Sequence, residues 1–91
     1  MTTAPQHAER ILEACQLANP NRLETELENA WNSCRTRVPS SGLEWEQQEL
    51  LETIVENLRG MSIAQCACHP ARLGAEFALL RHLRGQLLQT S

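Results

Sequence analysis

Cys66-Ala67-Cys68-His69 is the one cluster in this chain whose residue types are suited to chemistry. Thiolates and imidazole are good ligands for zinc or copper. At a helix junction Cys66, Cys68 and His69 would supply three of four ligands, with His7 or His82 completing the set in space. The spacing argues against this. Structural zinc sites present Cys-x2-Cys knuckles matched by a second ligand pair, and here the second pair is missing. Cys66 also fits a short helix as a small buried residue, so packing is the simpler use. The same residues offer a nucleophile, Cys68 or Cys66, assisted by His69 and activated at a helix N-terminus. Nothing around them completes an active site. There is no Gly-rich phosphate loop and no Ser-containing elbow, and without any Asp a Ser-His-Asp triad cannot form within one chain. The expectation is a protein that is not an enzyme and carries no cofactor, with a metal- or redox-responsive role at Cys66, Cys68 and His69 as an alternative.

The other two thiols, Cys15 and Cys34, flank a helical hairpin that turns near Asn19-Pro20. Cys15 lies about four residues before the turn and Cys34 about fourteen after it, so at ~1.5 Å per residue their levels differ by ~15 Å. A disulfide needs Cα atoms within about 7 Å. Both are expected as free core thiols, which suits a reducing, cytoplasmic setting.

Composition limits what can position these residues. The 91-residue chain has room for one domain, a single helical unit over 1–91, whose stability is marginal unless helices pack well or chains associate. It contains no Lys, Asp or Tyr, so every cation is Arg and every acid is Glu, both good helix formers. Strand formers are scarce, and four Gly and four Pro are the only strong interruptions. The fold class is all-α. Charge is uneven: residues 1–56 hold ten Glu against four Arg, a balance of −6, whereas 57–91 hold four Arg against Glu76, a balance of +3. The acidic half disfavours broad phosphate contact, and the basic tail suits an acidic partner or the acidic half of a second copy. The N-terminus has no signal-type apolar core, and no apolar run approaches the ~20 residues that span a bilayer.

Caps and stops divide the chain into four main helices and one short one. Thr3-Ala4-Pro5-Gln6 fits a capping box, and Ala8, Ile11, Leu12, Cys15 and Ala18 repeat at helical spacing, so the first helix runs to about Ala18. Asn19-Pro20-Asn21 breaks it, and Asn21 with Glu24 caps a second helix whose narrow stripe is Leu23, Leu27, Ala30, Trp31, Cys34 and Val38. The short break forces the pair antiparallel. After Pro39-Ser40-Ser41-Gly42, Ser41 and Glu44 cap a third helix bearing Leu43, Leu50, Leu51, Ile54, Val55 and Leu58, stopped at Gly60. Ser62 with Gln65 caps a short turn of helix to Cys68, and Pro70 opens the last helix, to Gln89. Two further helices thus pack on the opening hairpin.

The last helix has two kinds of face. Leu73, Phe77, Leu80, Leu83, Leu87 and Leu88 form a broad arc that closes the core, with Leu79 outside it and Arg84 inside it. Beside the arc runs a stripe of small residues, Ala71, Gly74, Ala78 and Gly85. Glycine costs ~1 kcal/mol against Ala within a helix, so two of them imply compensation by a close neighbour, either another helix of the same chain or a second chain. Arg84 either covers apolar surface with its stem, the preferred reading, or pairs with a Glu across an interface. Among the aromatics, Trp31 sits on a core stripe and is expected buried. Trp45 lies with Glu49, Glu52 and Glu56, opposite Leu50, Ile54 and Leu58. It either folds back over Pro39 and Leu43, the favoured reading, or anchors a partner. His7 and His82 are expected in solvent.

Gly60-Met61-Ser62-Ile63-Ala64, followed by His69-Pro70 and a helix with Arg72, Arg81 and Arg84, faintly resembles the DNA-reading helix-turn-helix of sigma-like and response-regulator proteins. The resemblance would make residues 51–84 a DNA-binding transcriptional regulator. It departs where it matters: the start of the supposed reading helix offers Arg72, then Gly74, Ala75 and Glu76, with no Asn, Gln or Lys to read bases. The leading expectation is a small cytoplasmic protein–protein interaction module, an adaptor, chaperone or inhibitor, that contacts a protein partner or a second copy as a homodimer. Its contact residues would be Trp45, Ala71, Gly74, Ala78, Leu79, Arg81, Arg84 and Gly85. Nucleic acid and membrane are not expected partners.

Overall fold

Local signals place the helices, and a computed structural model of the chain shows how far each extends. It describes residues 3–36, 42–68 and 74–90, with side chains for 3–35, 42–68 and 74–85. Helix α1 is Ala4–Gln16, α2 Pro20–Thr36, α3 Gly42–Arg59, α4 Ile63–Cys68 and α5 Gly74–Thr90, with no strand among the described residues. The fold is all-α, with four long helices and one short one.

The Gln6 half of the α1 capping box forms: the Thr3 N–H donates to Gln6 Oε1 at 2.9 Å and Pro5 occupies the first turn, while Thr3 Oγ1 has no partner among the described residues. The far end of α1 corrects the sequence reading. Ala18 leaves the helix, takes φ 51° and is exposed. The Asn19 N–H reaches Ala14 O at 3.2 Å and the Ala18 N–H reaches Cys15 O at 3.1 Å. This pair of bonds closes a helix in a left-handed cap, a place where glycine is usual. The cap of α2 is also two residues earlier than expected. Asn19, not Asn21, accepts from the Arg22 N–H at 3.1 Å. Pro20 then takes the first helical position, where its fixed φ and missing donor cost nothing. One residue, Asn19, thus ends α1 and starts α2.

Gly60 follows the end of α3 without using a positive φ; its N–H simply completes the last turn to Glu56 O at 3.1 Å. The expected caps at Ser41 and Pro70 lie outside the described residues, and α5 is described from Gly74.

The long helices pack in a ring of neighbours, α1 on α2, α2 on α3, α3 on α5 and α5 back on α1, with α4 against α2, α1 and α3. Helix α1 therefore touches all four others. Ile11, Leu12, Cys15, Leu23, Leu27, Leu51, Ile54, Val55, Leu58, Leu80 and Leu83 are fully enclosed. Each large aliphatic among them contributes roughly 1.5–3 kcal/mol of burial. The expected stripes of α2, α3 and α5 supply most of this core. Leu43 does not join it and stays 54% exposed. Leu79, expected outside the α5 arc, is half-buried against the core. Leu73, Leu87 and Leu88 fall outside the described side chains.

Candidate functional site

The Cys66–His69 cluster is split by its own helix. Cys66 is buried and its thiol donates to Leu58 O at 3.7 Å, while Cys68 is exposed. Two residues apart on a helix point ~200° apart, so these sulfurs cannot share a ligand. His69 lies outside the described residues, and among those described no group of His, Cys and Glu side chains is placed to hold a metal ion. Burial raises the Cys66 thiol, with Glu76 adding to the effect. Cys15 and Cys34 are buried too, and both thiols are pushed up to about 11, chiefly by desolvation. Cys66 adds to the shift at Cys15 and Glu52 to that at Cys34. A thiol raised in this way is a poor nucleophile at neutral pH.

The described part of the small-residue stripe on α5, Gly74, Ala78 and Gly85, meets no close neighbour among the described residues. Gly74 and Ala78 are exposed and Gly85 half-exposed. A Cβ built on Gly74 or Gly85 would meet nothing within 4 Å. No helix of the described residues lies close against the stripe; Ala71 is outside them. Arg81 is exposed, and Arg84 forms a long ion pair with Glu9 of α1, 3.9 Å from Nε to Oε1, with both side chains half in solvent. The Arg84 partner is thus a Glu of its own chain, and such an exposed pair is worth little. In the helix-turn-helix comparison, α4 has six residues and the first turn of α5 carries Glu76.

Two residues, His7 and Trp31, sit otherwise than their sequence positions led us to expect, and a third, Gln48, was not singled out. His7 is buried, 4% exposed, with no hydrogen-bond partner for Nδ1 or Nε2 among the described residues. Burial lowers its pKa, with help from Arg10. A signal for this was present: His7 precedes Ile11 by four and Ala14 by seven, on the face that α1 turns to its neighbours. Trp31 is half-buried at the rim of the core. The Arg59 and Arg35 guanidiniums lie 5.5 and 5.9 Å from its ring centre. Gln48 is buried and donates from Nε2 to Ser33 O at 3.2 Å and Cys34 O at 3.1 Å, satisfying carbonyls in the last turns of α2. Its place three before Leu51 and seven before Val55 put it on the core face of α3.

Trp45 is the decisive correction. It does not fold away: it is 64% exposed, and Leu43, two residues earlier, is 54% exposed. Pro39, the other expected cover, is outside the described residues. The indole stands at the mouth of an open groove of about 560 Å³ lined by Cys34, Gly42, Glu46, Gln48, Glu49 and Glu52. Glu46, Glu49 and Glu52 are exposed, and no ion pair reaches them among the described residues. Gln48 anchors the floor, because its amide holds α3 against the end of α2. The result is a wall of helix tied to α2 through Gln48, with a large aromatic and an acidic rim turned outward.

No protein-family model, curated protein or solved structure matches this chain.

Proposed function

We propose that this protein is a protein–protein interaction module without catalytic activity of its own, and that the start of α3 is its principal contact surface. The observation that carries the reading is the 64% exposure of Trp45 on a helix that Gln48 ties to the end of α2. A buried tryptophan gains several kcal/mol of contact, and tryptophans are the commonest anchors of protein interfaces. The thiols support the reading by their placement, since three are enclosed in the core and the fourth stands alone on the surface. The outer face of α5, with Gly74, Ala78, Arg81 and Gly85, is a second surface onto which a partner or a second copy would fit. A cytoplasmic adaptor, chaperone or inhibitor would have this build. No helix of the described residues is long and apolar enough to cross a membrane.

The test is site-specific. A photo-crosslinking residue at position 45 is expected to give a discrete adduct in native extract, while the same group at the exposed Gln16 gives none. Excess wild-type protein competes the adduct away, and excess Trp45→Ala protein does not. Trp45→Ala is expected to change folding stability by less than about 0.5 kcal/mol, as for an exposed side chain. Adducts that form equally from positions 16 and 45, or that both competitors remove alike, would defeat the proposal.

A further inference from the structure

We infer that the Trp45 groove receives a cationic segment of another protein, an Arg- or Lys-bearing stretch whose charged head lies on the indole while its neighbours meet Glu46, Glu49 and Glu52. The inference rests on the proposed contact role of Trp45 and adds the chemistry of what docks there. Trp45, Glu49, Glu52 and Glu56 recur at intervals of four, three and four, so indole and carboxylates share one face of α3. Like charges at this spacing repel along a helix. Among the described residues no ion pair from a cation of this chain relieves Glu46, Glu49 or Glu52. Arg22 is paired with Glu13, Arg84 with Glu9, and Arg35 and Arg59 lie over Trp31. Trp31 also shows the chemistry at work within this molecule, one indole taking two guanidiniums. Trp45 offers the same ring with no cation over it among the described residues.

Other occupants fit less well. A phosphate backbone or an acidic peptide meets the carboxylates as like charge. A purely apolar segment strips water from three carboxylates and returns no partner to them. A basic segment gains both the cation–π contact and the charge pairing.

The test is a display selection of short random peptides on the intact immobilised protein, counter-selected on Trp45→Ala and on the exposed charge reversal Glu49→Arg. Peptides held by the wild type and lost by both variants are expected to be rich in Arg and Lys and poor in Asp and Glu relative to the input. The best of them should bind about tenfold more weakly to the triple variant Glu46→Gln, Glu49→Gln, Glu52→Gln, and more weakly still at raised salt. Trp45-dependent peptides with no basic enrichment would overturn the inference and leave the surface a docking site. Absence of any Trp45-dependent peptide would overturn both. Self-association in solution that Trp45→Ala abolishes would assign the groove to a second copy and equally overturn the inference.

Discussion

His7 makes the stability of this protein sensitive to acid. Its imidazole is enclosed without a hydrogen-bond partner among the described residues, and its pKa is held below the ordinary 6.5 by burial and then by Arg10. The unfolded chain takes up a proton near 6.5 that the folded chain refuses until lower pH. The stability that a neutral His7 contributes is therefore complete above 6.5. It is lost as pH falls from there through the depressed folded value. His7→Leu removes that proton uptake together with two unpaired polar atoms. It is expected to stabilise by about 1 kcal/mol at neutral pH, and by more near pH 5. Urea midpoints at the two pH values check this; a variant that keeps the wild-type acid slope would point to another group. The thiols make a second residue-scale expectation. Cys15 and Cys34, raised to about 11, and the enclosed Cys66 should resist a disulfide reagent in the native state, while exposed Cys68 reacts at once. Cys68→Ser should abolish the fast phase and leave a slow one that follows unfolding. These four cysteines were legible as three core positions and one outlier. The burial of His7 and Gln48 was not read, because both are polar types that are rarely enclosed.

At the scale of the helix, Ala18 carries the left-handed cap of α1 at φ 51°. A side chain there costs ~1–2 kcal/mol that glycine avoids, offset in part by the greater freedom of glycine in the unfolded chain. Ala18→Gly is expected to raise stability by about 0.5–1 kcal/mol, read from chemical denaturation. Gly85 reverses the logic. It lies inside α5 at ordinary φ with open space where a Cβ would stand. Gly85→Ala should stabilise the isolated protein by up to ~1 kcal/mol. If the stripe is a contact face, the same change weakens association while strengthening the fold, and titration of a partner against both forms reads the difference. Helix existence and most of each apolar stripe were legible in sequence, because caps, stops and periodicity are properties of residues three or four apart. The two-residue displacement of the α2 cap to Asn19 was not read, although the rule that Pro favours the first helical position already favoured it.

On the scale of the whole molecule, α1 and α3 each touch all four other helices, whereas α5, read from sequence as touching two neighbours, packs on these two. Small residues explain the difference: Ala4, Ala8, Ala14 and Cys15 let several helices approach α1 at once. The contact of α5 with α1 joins the two ends of the described chain, so it closes the ring last in sequence and late in topology. Leu80→Ala, in a fully enclosed site on α5, is expected to cost 2–5 kcal/mol, about the size of the smaller domain stabilities. The variant should lose cooperative thermal unfolding measured by circular dichroism; a loss below about 1 kcal/mol would mean that α5 is not integral to the core.

The sequence by itself determined that the chain is helical, where the described helix ends fall to within a few residues, and, Leu43 and Leu79 apart, which of the described aliphatic residues face inward. Those properties depend on neighbours within one turn. Tertiary structure alone decided that Trp45 stands in solvent and Trp31 lies under two arginines. It likewise decided that His7 and Gln48 are enclosed, and that the Gly74–Gly85 stripe faces open space. Each of these depends on which distant segment arrives opposite a given face. A helical wheel ranks faces by composition, but exposure is set by how many other helices the ring brings to each one.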